Sequence, residues 1–284
     1  MIDKFCMSEA KPVSTPLAQY FKLTQGQSPK IEEDKMHMDT IPYASCVGSL
    51  MYCTVYTRPD LTYALSMVSR FIANPGKEHW SAGKWILRYL QGSMDVGLVY
   101  DNKSKNEVEV NGYVDFDYDG SINTRRSITE YAFTVLGGCI SWKANLQKVV
   151  ALSSIEAKYM AATEAIKEVV WLKGFTKELG FKSEDITVHC ENQSALHLMR
   201  NSMFHERSKH IDIKLHFIRD IIALKEVNVK KIGTKENPAD IMTKYVSLAK
   251  FRLFSKLTKP HQILDEDSRL VQPQISMTYS SFND

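Results

Sequence analysis

A chain of 284 residues with 44% apolar and 24% charged side chains has room for about two domains and the composition of a folded globular protein. Wholesale disorder and a coiled coil are excluded. Thirty-six Lys and Arg against 33 Asp and Glu leave a net charge of only +3, but the distribution is uneven: 13 basic residues meet 6 acidic ones between His205 and Pro260, an excess suited to polyanions. No run approaches the ~18 apolar residues of a membrane span and no secretory leader is present, so an intracellular setting without membrane partners is expected.

The five cysteines (Cys6, Cys46, Cys53, Cys139, Cys190) are scattered, odd in number and free of any Cys-x-x-Cys pair, so they indicate neither a disulfide framework nor a zinc site. Residues 1–41 hold Pro-rich and charged stretches unable to bury enough apolar area to fold alone; an extended tether is expected. Residues 42–95 carry three helical patterns: Val47, Leu50, Met51 and Thr54 after Pro42; Leu61 to Ile72 after the cap Asp60, stopped by Asn74-Pro75-Gly76; and Glu78 to Gln91 with Trp80, Trp85, Leu87 and Leu90, ended by Gly92. A unit of ~50 residues is too small to stand without leaning on the rest of the chain.

After Gly92 the apolar period shortens to that of strands, in Gly97–Tyr100, Val108–Val114, Ser127–Val135 and Cys139–Lys143, with Gly137-Gly138 as a turn. A helix is predicted from Ser153 to about Phe175, a buried strand over Ile186–Cys190, helices over Ser194–Arg200 and His210–Ala223, a strand over Val227–Ile232 and a last helix opened by Pro238. A three-stranded meander followed by parallel additions predicts an α/β fold, a mixed five-stranded sheet flanked by helices, over residues 96–260. Residues 261–284 are expected to be a flexible tail.

This topology would gather four carboxylates: Asp115 at a strand end, Glu156 in the first turn of the helix after the meander, Glu191 just past a strand and Asp240 in the first turn of the last helix. Four acids in one pocket need divalent cations to coexist. Hard oxygen ligands favour Mg²⁺, with Mn²⁺ as the alternative, and two ions ~4 Å apart suit in-line phosphoryl displacement. Each acid also has a bland reading: Ser153-Ser-Ile-Glu156 fits a capping box and Asp240 suits a helix N-terminus. The stretch from Asp115 to Gly120 starts like an EF-hand loop, but Arg126 stands where the twelfth-position Glu belongs and the flanks read as strands. Trp142 with Lys143, and Lys209 with His210, are candidates for contact with a nucleic-acid backbone, Trp142 having a core alternative.

These motifs resemble a known family. Thr57-Arg-Pro-Asp60, His79-Trp80 and Leu87-Arg-Tyr-Leu90 look like the end of the reverse transcriptase in a copia-type LTR retrotransposon Pol polyprotein. Tyr113-Val-Asp-Phe-Asp-Tyr118, Gln147 to Ser154, Glu156-Ala157, Asn192-Gln-Ser-Ala195, Ser208-Lys-His-Ile-Asp212 and Asn237-Pro-Ala-Asp240 look like its ribonuclease H domain. The resemblance implies a ribonuclease H-like fold preceded by a three-helix reverse transcriptase remnant, and endonucleolytic cutting of the RNA strand of an RNA–DNA hybrid with two Mg²⁺ ions. It further implies that Asp115 bridges both metals, that Glu156 and Glu191 hold the ion nearer the leaving side, and that Asp240 serves the water-activating ion. A separate reverse transcriptase subunit is an expected partner, and cytoplasmic replication particles, with the nucleus as alternative, the expected location. A degenerate nucleic-acid-binding remnant is the competing expectation.

Three positions depart from the family pattern: Glu191 stands where Asp is usual, Lys158 where Glu is common and Glu130 where Gly is frequent. The role of Asp117 is left open. The Tyr-x-Asp-Asp turn of a polymerase is absent, so reverse transcription by this chain is not expected.

Overall fold

The computed structural model describes residues 1–98, 100, 109–118, 120–180, 186–200 and 212–239. Four helices, α1 (Glu32–Asp39), α2 (Tyr43–Tyr56), α3 (Thr62–Val68) and α4 (Lys77–Gln91), precede the strands β1 (Val110–Asp117), β2 (Ile128–Val135) and β3 (Gly138–Leu146). After β3 come α5 (Ser154–Glu178), β4 (Ile186–Cys190), α6 (Gln193–Arg200), α7 (Asp212–Ala223) and β5 (Asn228–Lys231). The strands form one sheet in the order β3-β2-β1-β4-β5. β2 runs antiparallel to both its neighbours, whereas β4 and β5 add in parallel. This is the mixed five-stranded sheet the strand pattern predicts. Gly97, Leu98 and Tyr100 lie outside any strand; the Tyr100 hydroxyl instead donates to the Cys139 carbonyl at 2.8 Å.

Alternation along β2 decides what each face of the sheet meets. Tyr131 and Phe133 join Val110, Val114, Ile186 and Val188 in a core closed by α5, α6 and α7. Ile128 and Ala132 point the other way, into a second core with the helical unit, where Trp142 and Leu146 of β3 also pack. Trp142 clamps the two parts together, its indole N–H donating to the Thr54 carbonyl of α2 at 2.9 Å. The small helical unit therefore leans on the sheet, as its size requires.

The second expected helix forms as one run over residues 59–71, with its first and last turns tightened. Residues Pro59–Leu61 and Ser69–Phe71 are 3-10 turns on either side of α3, because side chains take up backbone carbonyls there: Thr62 Oγ1 bonds to the Pro59 carbonyl and Arg70 Nε to that of Ser66. Buried Arg58 straps the start of this run to the end of α4, reaching Asp60 and both the carbonyl and hydroxyl of Ser93.

The first 41 residues, expected as a tether, are laid against α4 instead. Phe5, Met7, Leu17, Phe21 and Leu23 are buried in the helical core, each worth roughly 1.5–3 kcal/mol. Side chains of α4 hold the main chain of this strap by its carbonyls. Gln91 donates to Ser8, Arg88 to Lys11, Trp85 to Thr15 and His79 to Thr24. Gly76, which caps α4, leaves no room for a side chain, since a Cβ there would stand 1.9 Å from the Gln27 carbonyl oxygen. Composition alone hid this: a polar, Pro-rich segment cannot make a core, but its few apolar residues can complete one.

Candidate active site

Asp115 lies on β1 two residues before its end and is only 7% exposed. Its cross-strand partner on β2 is Glu130, which is fully buried. On the other side, the last β1–β4 pair is Val114 with Cys190. Glu191 therefore sits directly after β4, one register step on, where neighbouring strands stand about 4.8 Å apart. The sequence thus brings Asp115 and Glu191 to adjacent strand ends because β4 adds in parallel to β1.

Asn237 fixes this corner. Its side-chain amide donates to the Val114 carbonyl at 3.2 Å and to Glu191 Oε1 at 3.0 Å, while its Oδ1 accepts from the Ala239 N–H. It is 3% exposed, so the knot is buried and every bond in it counts. The spacing argument passed over Asn237 because a side chain that holds others, rather than reacting, has no signature of its own; its place in Asn237-Pro-Ala-Asp240 was the available sign.

Glu156 sits in the first turn of α5, 5% exposed. Its N–H donates to the N-cap Ser153 Oγ at 3.2 Å, and its Oε2 accepts from the Leu152 N–H at 2.7 Å. That is a capping arrangement, shifted one residue upstream of the usual reciprocal bond. Asp115 and Glu191 line one small pocket together with Val114, Phe116, Lys158, Ala161, Cys190 and Asn192, and Glu156 is not part of its wall. The Lys158 ammonium lies 4.8 Å from the Phe116 ring centroid. Burial raises the pKa of the Cys190 thiol; the Asn192 N–H and Lys158 pull it down, while Asp115 and Glu191 push it further up. All these charges are therefore felt at one sulfur.

Among the described residues no group of three or more His, Cys, Asp or Glu side chains is set to hold a metal ion. Asp240, Lys209 and His210 lie outside the described residues. The donor chemistry of the pocket nonetheless fits a hard cation: the two acids that line it offer carboxylate oxygens from adjacent strands, and its only sulfur is a thiol whose ionisation burial opposes.

The remaining candidates fall elsewhere. Trp142 spends its indole N–H on α2 and packs in the helical core, its core alternative. Lys143 points to the α5 side of β3, where its charge helps hold the Glu164 pKa down against the effect of burial, behind the closer Lys167. Asp117 ends β1 opposite Ile128, its carboxylate so close to Gly120 that a Cβ there would meet Oδ2 at 2.7 Å. No helix among the described residues is long and apolar enough to cross a membrane.

An antiparallel meander continued by two parallel strands, with helices on the sheet and an acid near the end of the central strand, makes this a mixed α/β domain. No family model matches the chain. Over 261 residues, 92% of the chain, it is 49% identical to the retrovirus-related Pol polyprotein from transposon TNT 1-94 of Nicotiana tabacum, covering 19% of that protein. It is 36% identical over 251 residues, 88% of the chain, to the corresponding polyprotein from transposon RE2 of Arabidopsis thaliana, covering 17%. The chain is thus strongly similar, over most of its own length, to retrovirus-related Pol polyproteins of plant transposons, and spans under a fifth of the length of these relatives. Among solved structures, the N-terminal RNase H domain of a Mycobacterium tuberculosis protein, fused to maltose binding protein, is matched over 54% of this chain and 98% of that one, with 10% identity and a TM-score of 0.35.

Proposed function

We propose that this chain is a retrotransposon ribonuclease H that hydrolyses the RNA strand of RNA–DNA hybrids endonucleolytically at the strand-end pocket. The observation that carries this reading is the pairing of Asp115 and Glu191 on adjacent strand ends around one pocket, pinned by buried Asn237. Asp115 and Glu191, joined by Glu156 and Asp240, would hold Mg²⁺ or Mn²⁺. Such ions, when bound, would activate water and steady the leaving 3′ oxygen. The protein's part is to fix these oxygens: β1 and β4 set their spacing, and the Asn237 amide holds Glu191 in one orientation. Glu156 joins only if its carboxylate turns from the Leu152 N–H toward the strand ends. Recognition of the hybrid would rest on its wide minor groove and 2′-hydroxyls, with the basic stretch between His205 and Pro260 assisting at phosphates. A separate reverse transcriptase subunit would be the natural partner of the helical unit.

The test is incubation of the purified chain with a labelled hybrid and Mg²⁺. Cleavage that Asp115→Asn abolishes supports the nuclease. Hybrid binding with no product at any divalent concentration favours the competing reading, a remnant that binds nucleic acid without cutting, for which the commitment of Glu156 to its cap speaks. Glu191→Asp refines the result. The longer side chain displaces a ligand by about 1 Å, a shift worth on the order of 100-fold in rate, so shortening it should raise kcat if geometry limits the site. An unchanged rate discards that explanation.

A further inference from the structure

We infer that the outward face of α5 is a self-association surface, on which a second copy of this chain packs its own α5 in antiparallel fashion. Lys167, Trp171, Gly174 and Glu178 follow one another at spacings of four, three and four residues, so they share one side of the helix. All four are exposed, whereas Ile166, Val169 and Leu172, on the side toward the sheet, are buried in its core. Trp171 is 58% exposed and Phe175 45%, and their rings stack on each other at 5.3 Å and 6°. Val170 and Leu179, also exposed, extend the apolar area to either side. An indole and a phenyl ring left together in water on one helix are more than the scattered apolar residues of an ordinary surface.

The pattern along this face is complementary to itself. A two-fold axis beside the helix, level with the step from Leu172 to Lys173, sets Trp171 opposite Gly174 of the second copy and Lys167 opposite Glu178 of the second copy, and by symmetry the reverse. Gly174 has nothing within 4 Å of where its Cβ would stand. It therefore leaves a hollow on the helix surface in which the opposite indole can lie, and the two axes can approach to about 8 Å. Opposite charges meet at both ends. Within one copy Lys167 is held only by Glu164 of its own helix, in an exposed pair worth little. A parallel pairing would instead set each residue against itself, Lys167 on Lys167 and Glu178 on Glu178, which repels. The two rings, each about half exposed, offer about 200 Å² per copy. The whole contact stays under about 1,200 Å², the size of a reversible association. Glu156 lies about 25 Å along α5 from the axis, so pairing leaves the strand-end pocket open.

Sedimentation velocity of the full chain from about 1 µM to about 300 µM reads the association directly. The expected result is a concentration-dependent shift from monomer to dimer. Gly174→Gln is the decisive variant. Nothing in the single chain obstructs the new side chain, and glutamine is the better helix former. The melting temperature at low concentration should therefore equal or exceed that of the original chain. The hollow at the dimer contact is filled, however, and association should weaken by about tenfold or more. Lys167→Glu and Glu178→Lys, each alone, set like charges against each other at both ends and should weaken the dimer. Together they restore opposite charges and should bring association back. A chain that remains monomeric up to about 300 µM would overturn the inference and leave the stripe to a different partner. A dimer that Gly174→Gln leaves unchanged, or one that the double charge exchange fails to restore, would overturn it as well, by placing the contact elsewhere. None of these residues lines the strand-end pocket, so the nuclease reading stands or falls separately, on hybrid cleavage.

Discussion

The strap-and-α4 region and the strand-end pocket solve opposite problems. Along α4 four side chains donate to four backbone carbonyls of the strap, apolar residues fill the space between, and Gly76 leaves the main chains in contact. Around Asp115 the sheet instead places carboxyl groups side by side: Glu130 directly across on β2 and Glu191 one step beyond β4. One region is built for complementarity and should fail when any piece is altered. The other gathers groups for chemistry and should lose function, not stability, when an acid is removed.

Asp115→Asn tests the contrast most sharply. Cleavage of a labelled hybrid should fall by on the order of 100-fold or more, while chemical denaturation should show stability changed by no more than about 1 kcal/mol, since the substitution keeps the size and shape of the side chain. A strongly destabilised Asp115→Asn would erase the distinction between the two regions. Gly76→Ala is the mirror experiment. The added methyl meets the Gln27 backbone oxygen and should cost about 2–3 kcal/mol, with residues 1–27 becoming accessible to protease, yet hybrid cleavage by the folded fraction should persist.

Asn237→Ala lies between the two, because it belongs to the site but acts by holding. Leaving the Val114 carbonyl without this donor should cost about 1–3 kcal/mol in denaturation. Cleavage should fall as well, through a looser Glu191. A loss of activity without loss of stability would move Asn237 from positioning to direct contact with substrate.

The smallest effect is the pH dependence set by His79. Its Nδ1 accepts from the Gly76 N–H and its Nε2–H donates to the Thr24 carbonyl, an arrangement open only to the neutral ring. Burial lowers its pKa below the usual 6.5, with the Thr24 carbonyl and Glu78 pulling the other way. A lowered folded-state value means the unfolded chain takes up the proton first. The stabilisation is therefore complete above pH 6.5 and lost as pH falls from there through the folded-state pKa. Unfolding midpoints measured across that range should decline, and His79→Gln should flatten this part of the profile.

Much of the sheet was legible because each element announces itself locally. The period-2 runs of β1, β2 and β3, the glycine turn before Cys139 and the Ser153 cap are all short-range features. So was the placement of Asp115 and Glu191 at strand ends. The tightened 3-10 turns at the two ends of α3 were not, because the apolar residues keep one helical period throughout while Thr62 and Arg70 bond to backbone carbonyls there. Nor was the attachment of residues 1–27, whose partners on α4 lie some 55–83 positions away.

By itself, then, the sequence determined the types and order of most elements from α2 onward, the mixed sheet and the acids that punctuate it, while α1 within the expected tether went unread, since propensity, capping and periodicity act over a few residues. Tertiary structure alone decided how the acids are used: Glu156 turned to its cap, Asp115 and Glu191 set in the wall of one pocket, and Asn237 drawn across to Val114. Those outcomes depend on distances between elements remote in the chain, and charges and hydrogen bonds respond to distance rather than to order along the polymer.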